Sequence, residues 1–89
     1  LAWSVEVQDN ALRQLHKLPP KEVRRILDFL GTRLIKYESP RQIGEALKGA
    51  KLGDYWRYRV GDYRIVCDLK DNRLVVLVIE IAHRRDVYR

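Results

Sequence analysis

Tyr55-Trp56-Arg57-Tyr58-Arg59-Val60-Gly61-Asp62-Tyr63-Arg64-Ile65-Val66 reads as two strands joined by a tight turn. Side chains at i and i+2 of a strand share a face. Trp56, Tyr58 and Val60 therefore take the core face, and Arg57 and Arg59 take the other. Gly61-Asp62 suits a two-residue hairpin turn. Beyond it, Tyr63, Ile65, Cys67 and Leu69 continue the apolar face while Arg64 continues the cationic one. With Arg84, four arginines converge on one sheet face. Their mutual repulsion is unfavourable unless an anion sits among them, and phosphate is the natural candidate.

Working outward, the same alternation predicts a third C-terminal strand over 73–82, reached through the turn Lys70-Asp71-Asn72-Arg73. Val75, Leu77, Ile79 and Ile81 are expected to face the core, with Glu80 beside the arginines. On the N-terminal side, Trp3-Ser4-Val5-Glu6-Val7 is a short strand with Trp3, Val5 and Val7 inward. Asp9 is expected to cap a helix running to about Leu18, with Leu12, Leu15 and Leu18 on its stripe. Pro19-Pro20 ends that helix, and Pro20 suits the first turn of the next. Val23, Ile26, Leu27, Leu30, Leu34 and Tyr37 carry the second helix as far as Glu38-Ser39-Pro40. Gly31 weakens it by ~1 kcal/mol relative to Ala or admits a neighbouring element. Residues 41–53 form a connector with Gly44, Gly49 and Gly53, anchored by Leu47.

The expected fold is α+β, in the order β-α-α-β-β-β. A helical hairpin covers one face of a mainly antiparallel four-stranded sheet and leaves the other open. Residues 1–89 make one domain, with no repeat or low-complexity linker.

The chain carries 18 Lys+Arg against 12 Asp+Glu, a net charge of +6, which favours anionic partners. The excess is spread along the chain, not held in a tail. One cysteine, Cys67, excludes an internal disulfide and a thiolate metal cluster, and its apolar strand context marks it as a small core residue. The absence of a disulfide framework points to a reducing, cytoplasmic setting. No apolar run approaches the ~20 residues of a membrane span. No metal-ligand spacing, Cys/His nucleophile pair or glycine-rich phosphate loop is present, so neither a metal nor another cofactor is expected.

The candidate site is thus Arg57, Arg59, Arg64 and Arg84, weighed against an ordinary solvated strand face and against pairing of Arg64 with Asp68. Glu80 is expected to pair with Arg64 or Arg84 and fix it. His83 stands at the strand end and is structural unless a backbone bend turns it into the site. Tyr88 follows the last strand, where its ring suits stacking on an unpaired base or plugging the C-terminal core. Lys48, Lys51 and Arg85 complete the set of cations assigned to the nucleic-acid backbone.

Three stretches together carry a family resemblance: Ala46-Leu47-Lys48-Gly49, then Trp56 to Val66, then Ile81-Ala82-His83-Arg84-Arg85-Asp86-Val87-Tyr88-Arg89. In this order and at this length the chain resembles the RelE/ParE superfamily of type II toxins, over essentially its whole extent. The resemblance implies a small basic toxin held inactive by a cognate antitoxin that supplies an acidic or amphipathic helical segment. In the RelE branch such toxins enter the A site of the 70S ribosome and cut mRNA by metal-independent attack of the substrate 2′-OH. In the ParE branch they inhibit DNA gyrase without cutting RNA. Arg64, Arg84 and Tyr88 match positions that carry cleavage in the RelE branch, with Arg59 and His83 as further catalytic candidates. The chain departs from the best-known RelE pattern at Arg57 and Arg59, where that pattern has lysines. Arginine clamps phosphate well but is a poor general base, since its pKa exceeds ~12.

Overall fold

The computed structural model describes residues 2–47 and 55–87. A strand β1 (Ser4–Val7) leads into helices α1 (Asp9–His16) and α2 (Pro20–Asp28). A π-helical turn over Phe29–Arg33 and a 3-10 turn over Leu34–Lys36 continue α2. After another 3-10 turn, Pro40–Gln42, come β2 (Glu45–Ala46), β3 (Tyr55–Val60), β4 (Tyr63–Lys70), β5 (Val75–His83) and a final turn, α3 (Arg84–Val87).

The described strands form one sheet in the order β1-β5-β4-β3-β2. β1 runs parallel to β5 and every other pairing is antiparallel. The α+β class stands, with a fifth strand of two residues added by the connector. The helices cover one face. Ala11 and Leu15 of α1 and Ile26 of α2 join Phe29, Leu30 and Leu34 against Trp3, Tyr58, Ile65, Cys67, Val76, Val78 and Ile81. At about 25 cal/mol per Å² of apolar area removed from water, this face is the main source of stability.

Several local expectations are corrected. Asp9 is the first helical residue of α1 and not its cap; Gln8 holds that place and makes no side-chain capping bond. The second helix is not α-helical throughout. The π turn adds a residue to each hydrogen-bonded loop. Phe29 is buried, while Leu12, Leu27 and Tyr37 of the expected stripes stay exposed. Gly31 admits no neighbour, since a Cβ there would meet nothing within 4 Å.

On β5 Val75 and Ile81 are buried as expected, but Val76 and Val78 are buried too, whereas Leu77 and Ile79 are only half-buried. A bulge causes this: Val66 lies opposite Glu80 and Cys67 opposite Val78, so Ile79 has no partner. One extra residue reverses the side-chain phase of the strand.

The connector is tied down at several points. The Tyr58 hydroxyl donates to the Pro40 carbonyl at 2.6 Å, and the Trp56 indole Nε1–H donates to the Ile43 carbonyl at 2.8 Å. Arg41 grips Asp71 with two parallel bonds of 2.9 and 2.8 Å. Leu47, the expected anchor, is half-buried; Pro40 and Ile43 share the anchoring. Gly44 has a φ of +80°, and a Cβ there would come within 2.6 Å of the Arg57 carbonyl oxygen and the Tyr58 ring. Only glycine fits that approach, which brings β2 alongside β3.

Candidate functional site

Register builds the site. Arg57 lies opposite Val66, and Arg59 directly opposite Arg64, on the face away from the helices. Arg64 in turn lies opposite Ala82 on β5. Two residues further on, Arg84 opens α3, held by its backbone N–H, which donates to the Asp62 carbonyl at 2.7 Å. The hairpin turn at Gly61-Asp62 makes this possible. Gly61 has a φ of +59°, the left-handed conformation wanted at the first position of a tight hairpin turn.

Arg57, Arg59, Arg64 and Arg84 line a cleft of about 380 Å³, together with Gly44, Glu45 and Tyr58. Among the described residues Glu45 is the only carboxylate on that lining, and its Oε1 meets Arg57 Nη2 at 3.2 Å. Arg84 has Asp62 at a longer 3.8 Å, with both side chains well exposed. Such exposed pairs contribute little to stability. Among the described residues neither Arg59 nor Arg64 has an ion-pair partner.

Arg64 carries the clearest signal. Its Nε is buried without a hydrogen-bond partner among the described residues. A buried donor left unmade costs about 1–3 kcal/mol, and like charges directly opposite on a sheet are unfavourable. An anion in the cleft would relieve both. Behind the cleft the Tyr58 ring is buried, and burial pushes its hydroxyl far above the ordinary phenol pKa. It therefore acts as a neutral donor to Pro40, not as a proton carrier. Cys67, also buried, has its thiol pushed up to about 12 by burial and offers no nucleophile.

The other sequence candidates lie elsewhere. His83 faces the helical side, edge-on to Tyr63 with ring centres 5.2 Å apart, and its Nδ1 accepts the Arg85 backbone N–H at 3.1 Å. It lines a separate hollow with Gln14, Lys17, Leu18 and Glu80. Among the described residues no ion pair joins Glu80 to Arg64 or Arg84, contrary to expectation. The ion pair at Asp68 among the described residues is with Lys70, at 2.9 Å. Arg85 is exposed and does not line the arginine cleft. Tyr88, Lys48 and Lys51 lie outside the described residues.

Sequence reasoning missed Glu45 and the pairing role of Asp62. Asp62 was accessible in principle: with Tyr63 opposite His83, the residue before one faces the residue after the other. Glu45 was not, because a two-residue strand leaves no periodic trace.

A family model described as the ParE toxin of type II toxin–antitoxin system, parDE, matches residues 5–88. Toxin RelG of Mycobacterium tuberculosis is 29% identical over 89 residues, covering 100% of this chain and 99% of that protein. Toxin RelE of the same organism is 31% identical over 87 residues, covering 98% and 87%. Among solved structures, the toxin–antitoxin complex RelBE2 from M. tuberculosis superposes with a TM-score of 0.81 at 27% identity. That match covers 94% of this chain and 93% of the other.

Proposed function

Because the chain belongs to the ParE toxin family of type II toxin–antitoxin systems, within the RelE/ParE superfamily, we propose that it is a ribosome-dependent endoribonuclease acting on mRNA in the cytoplasm. The observation that carries this reading is the buried Nε of Arg64, without a partner among the described residues, in a cleft of four arginines. The likeness to toxin RelE supports the same branch.

In the proposed reaction the substrate 2′-OH attacks the adjacent phosphorus and the bond to the 5′ oxygen breaks. The products are a 2′,3′-cyclic phosphate and a 5′-hydroxyl. Arg64 stabilises the charge that develops on the non-bridging oxygens, and preorganised donors of this kind are the strongest electrostatic device available to such a site. Arg84 neutralises the departing 5′ oxygen. Arg57 and Arg59 hold the backbone. Glu45, the carboxylate on the cleft wall, takes the 2′-OH proton; His83 and Glu80 do not line the cleft and have no part in it. Tyr88, assigned on the sequence alone, stacks on a base. The leaving oxygen draws its proton from solvent or the ribosome, so the isolated protein is a weak nuclease. Positioning by the ribosome can supply ~7–11 kcal/mol.

The cognate antitoxin masks the arginine face with an acidic or amphipathic helical segment. The RelBE2 complex, in which a similar toxin is bound to its antitoxin, supports such a partner. Inducing the toxin without antitoxin should stop growth and amino-acid incorporation, and Arg64→Ala should abolish both effects. A fully toxic Arg64→Ala protein would overturn the assignment.

A second reading, inhibition of DNA gyrase, draws support from the family description, which is that of ParE. It predicts loss of supercoiling by purified gyrase, with translation continuing at first.

A further inference from the structure

The cationic surface does not stop at the arginine cleft. Arg59 also lines a second hollow, of about 340 Å³, with Arg25, Asp28, Phe29, Arg33 and Gly61. Three arginines there face one carboxylate. Among the described residues Arg25 has only Glu22, at 4.0 Å along its own helix, and the Arg33 guanidinium lies 5.6 Å from the centre of the Phe29 ring. No ion pair engages Arg33 or Arg59 among the described residues.

The backbone brings these side chains together by an uncommon route. An α-helix turns about 100° per residue, so eight residues would leave Arg33 roughly 80° round the axis from Arg25. The π turn over Phe29–Arg33 closes its hydrogen bonds five residues back instead of four. It therefore turns less per residue and returns Arg33 toward the face of Arg25. A π turn costs good helical hydrogen-bond geometry, and such turns recur at functional sites. At the other wall, Gly61 leaves room for Arg25: a Cβ there would come within 2.6 Å of Arg25 Nη1. The hairpin turn and the π turn thus form opposite sides of one cationic hollow, joined to the cleft through Arg59.

We infer that Arg25, Arg33 and Arg59 form a second phosphate subsite, which takes a neighbouring backbone phosphate of the same RNA strand that fills the arginine cleft. The inference rests on the proposed RNA reading. It assigns Arg59 as the link between two phosphates and gives the π turn a purpose in aiming Arg33.

The test is equilibrium binding of fluorescent single-stranded RNA with 2′-O-methyl riboses, which cannot be cleaved. A trinucleotide and a dodecanucleotide are compared over a range of salt. For Arg25→Gln/Arg33→Gln, the affinity advantage of the longer strand should shrink, and the slope of log affinity against log salt should fall by ~0.7, as expected when one phosphate is no longer neutralised. Arg25→Lys/Arg33→Lys should restore most of that advantage. Arg13→Gln/Arg73→Gln removes two exposed cations elsewhere and should change neither quantity.

Arg64→Gln distinguishes failure of the subsite from failure of the RNA reading. It should weaken binding of both strands; if it does not, the RNA reading itself fails. If Arg64→Gln weakens binding while Arg25→Gln/Arg33→Gln keeps the full length advantage and slope, the subsite alone is overturned. The subsite is also overturned if that double variant loses only ribosome affinity, which would give the hollow to ribosomal RNA. Loss of antitoxin affinity alone would give it to a protein partner and equally overturn the proposal.

Discussion

The two faces of one sheet are built on opposite terms. On the helical face, Tyr58, Ile65, Cys67, Val78 and Ile81 are buried among apolar neighbours, and each lies against several others. On the opposite face, one residue away along the same strands, Arg57, Arg59 and Arg64 crowd like charges together and leave a guanidinium nitrogen without a partner among the described residues. The first face gains free energy from every side chain it buries. The second loses it, and the loss has a use only when an anion arrives. Stability and function are separated by the pleat of a β-strand.

Substitutions on each face should therefore read out in different assays. Arg64→Gln is expected to lower ribosome-dependent cleavage by about 10²–10³-fold, the range for losing one preorganised charge-stabilising donor. Its thermal midpoint should be unchanged or higher, because an unsatisfied cation has gone. A large drop in the midpoint would make Arg64 structural and break the comparison. On the helical face, Ile26→Ala empties a site that is fully buried and should cost about 2–5 kcal/mol by denaturant unfolding. A folded fraction of that variant should still cut at the normal rate.

Tyr58→Phe probes the join between the faces. It removes the donor to the Pro40 carbonyl and should cost about 1–2 kcal/mol. Loosening the connector should also shift Glu45, so activity should fall more than for other variants of equal stability. Titration sharpens the contrast further. The folded-state pKa of Cys67 is raised by burial from 9.0 to about 12, so the folded state holds this proton more tightly than the unfolded chain. The contribution is fully present below pH 9 and is lost as pH rises toward about 12. Unfolding at a series of alkaline pH values should show this decline, with Cys67→Ala flattening it. The smallest effect is expected at Gly31, where open space surrounds a missing Cβ. Gly31→Ala should stabilise by about 0.4–1 kcal/mol.

The difference between the faces also explains what could be read from the sequence. Period-two alternation identified β3 and β4 and put Arg57, Arg59 and Arg64 on a common face, because it depends only on neighbours along the chain. The bulge opposite Val66 and Cys67 escaped notice, since it depends on how two strands pair. It moved Val76 and Val78 into the core in place of Leu77 and Ile79. The π turn escaped for the same kind of reason: the apolar positions from Val23 to Tyr37 read as one helix, and only the bond from the Leu34 backbone N–H to the Phe29 carbonyl, five residues back, shows where it widens. Within the site, Arg84 was legible by continuing the phase of β5. Glu45 was invisible because it is positioned by Gly44 and two residues of pairing. His83, adjacent in sequence to Arg84, faces the other way because β5 is still a strand there.

The proposed cleavage of mRNA on the ribosome by the arginine face stands or falls on one measurement. Its most direct test adds purified protein to an in vitro translation reaction on a defined message and maps 5′ ends with and without ribosomes. Cuts are expected inside translated codons only when ribosomes are present, with none for Arg64→Gln. An intact message in the presence of ribosomes would contradict it.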